Sequence, residues 1–119
     1  MYSGPAVHLL LPMLRPVIHI ALHFFVPAVV ARVAYADRWR HAWLVMVSTM
    51  LVDLDHLLAN PLYDPNRCSM GFHPLHSWPM VAVYGLLVAV PKLRLLAIGL
   101  LIHMGLDTLD CVWMGSLKL

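Results

Sequence analysis

Three ionisable side chains stand close together in an apolar stretch of the sequence. The run VDLDHLL at 52–58 places Asp53, Asp55 and His56 inside a segment, 43–59, that is otherwise mostly apolar. A charged residue at the centre of a membrane-spanning helix costs on the order of 2.5–3.5 kcal/mol, so acids in such helices are rare and usually functional. Aspartate and imidazole together are suitable ligands for Zn, Mn or Fe, and the run therefore indicates a metal site.

Similar pairs of metal ligands occur in all four apolar stretches of the chain, three or four residues apart. Side chains at this spacing share one face of an α-helix. The pairs are His19 with His23, Asp53 with His56, His73 with His76, and His103 with Asp107. At about 1.5 Å per residue, each pair lies roughly 5–10 Å from the same end of an antiparallel bundle. We therefore expect the four pairs to meet in one layer.

The candidate ligands are too many for one tetrahedral zinc, which takes four. No Lys or Arg within the apolar stretches lies near the layer, whereas four aspartates would balance the charge of two divalent ions. We therefore predict two metal ions, with Zn favoured and Mn or Fe as alternatives. Their predicted ligands are His19, His23, Asp53, His56, His73, His76, His103 and Asp107.

Two further aspartates, Asp55 and Asp110, lie close to this layer. They are the predicted catalytic residues, one of them acting as general base on a water molecule activated by the metals. In an α-helix Asp55 points about 160° away from Asp53. Asp55 could therefore instead bind the second ion, orient a ligand histidine or cap a neighbouring helix, and Asp110 could be a hydrated group near the interface.

The composition is that of an integral membrane protein. The chain has 119 residues, of which 61% are hydrophobic and 12% charged, whereas a soluble domain is about 45–50% apolar and about 25% charged. Four stretches each approach the roughly 20 residues that a spanning helix needs. They are 17–36, 41–59, 73–91 and 93–114. We predict one all-α domain, 1–119, built as an integral membrane four-helix bundle.

The segment before the first span is rich in proline. Pro5, Pro12 and Pro16 predict a short interfacial N-terminal segment over residues 1–16 rather than a spanning helix. The alternative is a cleaved signal peptide, because AYA at 34–36 resembles a cleavage site.

The basic residues predict an orientation. Five of them fall in the first and third connections, and three fall on the opposite side. The first set is Arg32, Arg38, Arg40, Lys92 and Arg94, and the second is Arg15, Arg67 and Lys118. The positive-inside rule then places both termini and the long connection near 60–73 on the outer side. Cys68 and Cys111 fall toward that side, where a disulfide and two reduced thiols both remain open.

Three segments of the sequence resemble a known family. They are HIALHF, TMLVDLDHLLANPLYDPNRCSMGFHPLHS and IGLLIHMGLDTLDC. Together they are similar to a bacterial family of small membrane proteins related to the inner-membrane, LexA-binding metal-dependent hydrolases. The resemblance covers residues 19–114 and implies a multi-pass protein of the bacterial inner membrane.

Position by position, the Asp-x-Asp-His motif of the larger family falls on Asp53, Asp55 and His56. Its late His-x-x-x-Asp motif falls on His103 and Asp107, and its His-Ser step falls on His76 and Ser77. His73 and His76 stand closer together here than the corresponding loop histidines of the larger family.

Three functional hypotheses follow from this pattern. The first is a membrane-embedded, metal-dependent hydrolase that acts on a lipid or an amphipathic ester or phosphoester. The second is a membrane di-iron oxidative enzyme, although such enzymes use more histidines and fewer aspartates. The third is a non-enzymatic metal-binding or transport protein, or a haem binder. Membrane lipids are the expected partners and the chain could form a homo-oligomer, whereas a net charge of +2 gives no indication of nucleic-acid binding.

Overall fold

The structure of the chain is a computed structural model that describes residues 5–64 and 66–117, without the side chains of 5–9 and 11. Four α-helices follow one another: α1 Pro5–Ala34, α2 Trp39–Ser48, α3 Trp78–Leu87 and α4 Arg94–Met114. Three 3-10 helices lie between them, at Ala36–Arg38, Thr49–Leu58 and Pro74–His76. No strand occurs within these described ranges, so the all-α prediction is confirmed.

The first helix is longer than the sequence predicts. Prolines predicted an interfacial segment over 1–16, but α1 begins at Pro5 and continues through Pro12, Pro16 and Pro27. Proline fits the first helical position, where its missing N–H costs no hydrogen bond. Within an apolar helix it is tolerated where neighbouring helices and local adjustments satisfy the freed carbonyls. The described part of the predicted interfacial segment is therefore the beginning of α1, and its position at the membrane interface stays a prediction.

The helix predicted over 41–59 forms in two parts. The α-helical winding of α2 ends at Ser48, and the tighter 3-10 helix Thr49–Leu58 continues the same segment. Ala59 is extended, which is the conformation expected as the chain approaches Pro61, since a residue before proline avoids the helical region. The segment that carries the Asp-x-Asp-His motif is therefore wound more tightly than the sequence predicts.

The helix predicted over 73–91 is much shorter in the structure. His73 is extended before Pro74, a 3-10 turn covers Pro74–His76, and α3 occupies only Trp78–Leu87. Ser77 is extended and caps α3 by accepting a hydrogen bond from Met80 N–H at 3.4 Å. A ten-residue helix is about 15 Å long, about half of the roughly 30 Å hydrocarbon core. α3 alone is therefore too short to cross a membrane.

Two of the helices are long and apolar enough to cross a membrane. They are residues 12–34 of α1, with a mean hydropathy of 1.9, and α4, with a mean hydropathy of 1.7. The observed bounds of α4, Arg94–Met114, agree with the predicted span 93–114. The four-span bundle stays a prediction.

The helices α1 and α4 run antiparallel. Near the start of α1, Arg15 contacts Asp110 of late α4. Near the end of α1, Ala31 packs in one apolar cluster with Leu95 and Ile98 of early α4. Five basic residues therefore fall at the end where α1 finishes and α4 begins, which we call the basic end. They are Arg32, Arg38, Arg40, Lys92 and Arg94.

The interior contains many polar side chains, while many large apolar side chains are exposed. The buried residues include several polar and ionisable side chains, namely His23, Thr49, Asp55, His73, His76, His103 and Asp107. On the outer faces of the helices, Phe25 is 64% exposed, Val33 81% and Leu86 75%. Large contiguous apolar surfaces are rare on soluble monomers and mark interaction with a partner or a membrane. This distribution fits a surface in contact with lipid.

A disulfide joins the long connection to α4. Cys68 and Cys111 are bonded, with their Cα atoms 5.1 Å apart. Of the two states that the sequence left open, the structure therefore has the disulfide. Disulfides persist in oxidising compartments, and this one lies at the end of the molecule opposite the basic end. The bond fixes the connection against the last two turns of α4.

Gly99 allows α2 and α4 to approach closely. A Cβ atom at this position would lie 2.8 Å from the Cα atom of Met46 and 2.8 Å from Cγ2 of Thr49. A backbone atom is among these neighbours, so the contact would have no flexible side chain to relieve it. Gly105, on the same helix, has no described atom within 4 Å of such a Cβ.

The substitution Gly99→Ala should therefore destabilise the protein, by roughly 1–3 kcal/mol as expected for overpacking. Gly105→Ala is the matched control and should leave stability unchanged or raise it, because alanine favours helix by about 1 kcal/mol over glycine. Thermal unfolding in detergent followed by circular dichroism measures both. Equal melting temperatures for the two variants would contradict the close packing of α2 on α4.

Candidate metal centre

Four buried or half-buried ligand atoms converge from three parts of the fold. They belong to Asp53, His76, His103 and Asp107, which we call the four-ligand group. Asp53 Oδ1 lies 3.1 Å from Nε2 of His76 and 3.0 Å from Nε2 of His103. Asp107 Oδ2 lies 3.0 Å and 3.2 Å from the same two nitrogens. The 3-10 helix Thr49–Leu58, the 3-10 turn before α3, and α4 each contribute to this group.

The spacing of these four atoms fits a tetrahedral metal ion. The two Nε2 atoms lie 3.3 Å apart, and all four atoms lie within 4.8 Å of one another. An ion with bonds of about 2.0–2.1 Å holds its tetrahedral ligands about 3.3–3.4 Å apart. A cation between the four atoms could accept a lone pair from each of them.

A second cluster, the three-ligand group, forms between α1 and α4. Nε2 of His19 lies 3.0 Å from Asp107 Oδ1, and Nε2 of His23 lies 3.2 Å from the same oxygen. The three side chains have ligand atoms within 4.8 Å of one another. The spacing of four residues along α1 directs both imidazoles to one face of that helix.

Asp107 belongs to both groups, through different oxygens. Its Oδ1 faces His19 and His23, and its Oδ2 faces His76 and His103. Four buried side-chain atoms of the described residues have no partner in hydrogen-bond geometry, and two of them face the groups: Asp107 Oδ2 and His23 Nε2, the others being His103 Nδ1 and Ser116 Oγ. Orphaned buried polar atoms are rare in native proteins and need an explanation such as an ion. The donor set therefore fits two metal ions bridged by one carboxylate.

Asp55 fixes the orientation of His76. Its Oδ2 accepts hydrogen bonds from Nδ1–H of His76 and from the backbone N–H of Leu75, both at 2.9 Å. A carboxylate can only accept, so Nδ1 of this imidazole carries a proton, and its Nε2 is turned toward the four-ligand group. Metal-bound histidines are usually held in this way by a carboxylate or carbonyl.

His23 is oriented by its own helix. Its Nδ1–H donates to the backbone carbonyl of His19 at 2.7 Å. Its Nε2 is therefore turned toward Asp107, 3.2 Å from Oδ1 of that residue. Since this hydrogen bond is local to α1, it forms wherever the helix forms and needs no contribution from the rest of the site.

His56 and His73 lie beside the centre but not within either group. Nδ1–H of His56 donates to Asp55 Oδ1 at 3.0 Å, and its Nδ1 lies 3.8 Å from Asp53. The rings of His56 and His73 stack with their centroids 3.7 Å apart. Asp55, His56 and His76 are also close enough to share an ion, but the hydrogen bonds to Asp55 favour a positioning role. The prediction that His56 and His73 are ligands stays untested.

His73 lies in the extended segment before α3, outside the helices. Burial lowers the pKa of its imidazole to about 4, and the neighbouring imidazole of His56 adds to this effect. His73 is therefore neutral near pH 7, and its uncharged ring can stack closely on His56.

Asp110 is held by an arginine that sequence reasoning missed. Nη1 of Arg15 lies 2.8 Å from Oδ1 and 2.9 Å from Oδ2 of Asp110. Asp110 Oδ1 also lies 4.0 Å from Nδ1 of His19. The sequence analysis used Arg15 only as one of the basic residues that predict the orientation, because it lies in the segment predicted to be interfacial. The predicted catalytic roles of Asp110 and Asp55 stay predictions.

A cavity of about 240 Å³ opens beside the two groups. The ligands that reach it are His19 and Asp53, whose side chains are 24% and 39% exposed. Asp107, by contrast, is 4% exposed. Also lining the cavity are Arg15, Ile20, His56, Leu62, Tyr63, Asp64, Arg67, Ser69, His73 and Asp110, with Pro16. A small molecule in this cavity would therefore contact the exposed edges of both groups.

The chain belongs to a family of unknown function, DUF6122, whose model matches residues 13–114. Comparisons with curated proteins and with solved structures find no match. The finer resemblance to LexA-binding metal-dependent hydrolases gains no support from these comparisons and stays a prediction. Every predicted ligand in the two groups lies within the matched residues.

We expect Asp55→Asn to weaken metal binding roughly 10- to 100-fold, the usual effect of losing the carboxylate behind a ligand histidine. The amide has one acceptor oxygen, so it would lose one of the hydrogen bonds that fix His76, His56 and Leu75. Competition with a chelator of known affinity measures the change. Asp64→Asn, at an exposed position on the cavity rim, is the control, and equal metal affinity of the two variants would refute the positioning role.

Proposed function

We propose that the chain is a membrane-embedded hydrolase that holds two divalent metal ions, with zinc favoured, at one end of its helix bundle. The observation that carries the proposal is the position of Asp107, whose two oxygens face two separate sets of histidines. A carboxylate shared in this way is a natural bridge between two ions. Two-metal centres of this kind support hydrolytic displacements, because the ions stabilise both the attacking and the leaving oxygen.

The two groups suggest different roles for the two ions. The four-ligand group has a complete tetrahedral set, as structural zinc sites do, whereas the three-ligand group has three protein ligands and space for one more. His19, in the three-ligand group, lines the cavity. Water and substrate would therefore bind on the cavity side of this group.

Asp110 is the better placed of the two predicted general bases. It lines the cavity, whereas Asp55 is 6% exposed and does not. Asp110 pairs with Arg15 and has its Oδ1 4.0 Å from Nδ1 of His19. In this proposal Asp110 accepts a proton from the attacking water, and Asp55 positions His76.

Membrane placement is proposed from the surface of the molecule. Apolar side chains cover the outer faces of α1, α2 and α4, including Val17, Phe25, Leu44 and Leu109. The basic end would face the cytoplasm under the positive-inside rule. The disulfide and the metal centre would then lie toward the oxidising outer side of the bacterial inner membrane. A lipid or amphipathic ester could reach the cavity from the adjoining leaflet.

The purified wild-type protein should contain two equivalents of divalent metal, and Asp107→Asn should contain one or none. His19→Ala should contain one, because it disrupts only the three-ligand group and its less buried side chain is easier to replace without unfolding. Elemental mass spectrometry of the detergent-purified protein measures the content. With Zn or Mn added, the wild type should hydrolyse members of a panel of lipid esters and phosphoesters, and His19→Ala should lose nearly all turnover.

Asp37→Asn is the matched control, because Asp37 lies in the short 3-10 helix between α1 and α2, far along the chain from both groups. It should keep wild-type metal content and turnover. Metal content that is equal in all four proteins would refute the two-metal centre. Two bound ions with no turnover on any ester would refute hydrolysis, and bound iron with an oxo-bridge absorption band would favour the oxidative alternative.

The protein expressed in bacteria should remain in the membrane fraction after a wash with alkaline carbonate, which removes proteins bound only at the surface. Such behaviour is expected of spanning helices, whose transfer to water would expose apolar side chains such as Val33 and Leu109. Release of the protein into the wash would contradict the membrane placement and leave the metal centre unaffected.

A further inference from the structure

The cavity beside the metal centre carries more positive than negative charge once two ions are bound. Asp53, Asp55 and Asp107 face the two groups, whereas Asp110 is already paired with Arg15. Three carboxylates beside two divalent ions leave one formal positive charge. This step rests on the proposed two-metal centre, and it indicates that the missing partner is an anion.

Asp64, exposed at the rim of the same cavity, offsets this positive charge, and Arg67 adds another, so the cavity keeps a net positive formal charge. The side chain of Arg67 is half-buried and lines the cavity wall. Nη1 donates to the carbonyl of Pro61 at 2.9 Å, and the guanidinium lies 4.6 Å from the ring centre of Phe72. Within residues 5–64 and 66–117, no carboxylate lies within 4.0 Å of this guanidinium. Arg67 is therefore held in place with most of its five N–H donors free for a ligand.

Two residues with hydroxyl groups line the cavity together with Arg67. Tyr63 and Ser69 line the cavity on the same connection, and Ile20 and Leu62 add apolar surface. Leu57 and Leu58, which precede the connection, are 67% and 78% exposed. A ligand that fits this lining has a compact anionic group at one end and an apolar part directed toward the membrane.

We propose that the substrate is a phosphate monoester of an amphipathic alcohol, with Arg67 as the residue that determines its specificity. The phosphoryl group would lie between the metal centre and the guanidinium, which binds phosphate through paired hydrogen bonds. The oxygen of a water molecule forms a bond to phosphorus, and the bond from phosphorus to the alcohol oxygen breaks. One proton from the water passes to the leaving alcohol, so the products are the free alcohol and inorganic phosphate. A carboxylic ester has no charge at the reacting group and would make no use of Arg67.

The test compares the full-length, metal-loaded wild type with Arg67→Gln, Arg67→Lys and Arg38→Gln in detergent. Arg38 is the matched control, because it also lies over an aromatic ring, that of Tyr35, at the basic end. Calorimetry measures the affinity for inorganic phosphate and for acetate. Arg67→Gln should weaken phosphate binding by roughly 10- to 100-fold, Arg67→Lys should recover part of the loss, and Arg38→Gln should match the wild type. The ratio of phosphate to acetate affinity should fall in Arg67→Gln, which a general loosening of the connection would not produce.

The test is completed by measuring turnover of two phosphomonoesters, one with a short alkyl chain and one with a long chain. The carboxylic ester analogue of each is measured beside it. Preference for either phosphomonoester over its analogue supports the proposal, and faster turnover of the long-chain compound identifies the alcohol as a membrane lipid. Equal phosphate affinity in wild type and Arg67→Gln, or preference for carboxylic esters, overturns the assignment while leaving hydrolysis intact. Conversely, Arg67-dependent phosphate binding without any turnover supports the anion site and refutes the proposed hydrolase.

Discussion

The site depends on one constraint, which is that the negative charge of a buried carboxylate must be compensated. Asp107 is 4% exposed and lies on α4, yet no arginine or lysine of the described chain forms an ion pair with it. An isolated carboxylate in an apolar medium is very unfavourable, and proteins compensate such charges by pairing or by metal coordination. Four imidazoles surround Asp107 at 3.0–3.2 Å. These imidazoles can compensate the charge by donating hydrogen bonds to the carboxylate or, under the proposed function, by holding cations between themselves and the carboxylate.

This constraint explains why the helices are arranged as they are. The carboxylate must meet His19 and His23 on one side, which requires α1 to lie antiparallel against α4 in the register set by Arg15 and Asp110. The other side must meet His76, which is presented by a 3-10 turn rather than by a spanning helix. The shortness of α3 thus has a structural role, because the extended residues around the turn bring the imidazole into the interior.

The sequence predicted the composition of the centre better than the shape of the elements that hold it. Pairs three or four residues apart, such as His103 with Asp107, are a local signal, and the two groups bring together six of the eight predicted ligands, whose role in binding metal stays a prediction. Proline was a poorer guide, because Pro12 and Pro16 do not end α1, whereas Pro74 begins the separate 3-10 turn that precedes α3. A proline breaks a helix only where neighbouring groups leave its freed carbonyl unsatisfied, and that depends on contacts that a sequence pattern does not contain.

The tight winding of Thr49–Leu58 separates the roles of residues that are almost adjacent in sequence. At about three residues per turn, Asp53 and His56 lie one above the other and both line the cavity, while Asp55 turns inward to His76. In an α-helix His56 would lie about 60° away from Asp53, and the pair would face the cavity less directly. One short segment therefore supplies a candidate ligand, a positioning carboxylate and part of the cavity wall. The disulfide holds the following connection, with Arg67, against the same helix that carries Asp107, so the cavity wall that contains Arg67 is fixed relative to the two groups.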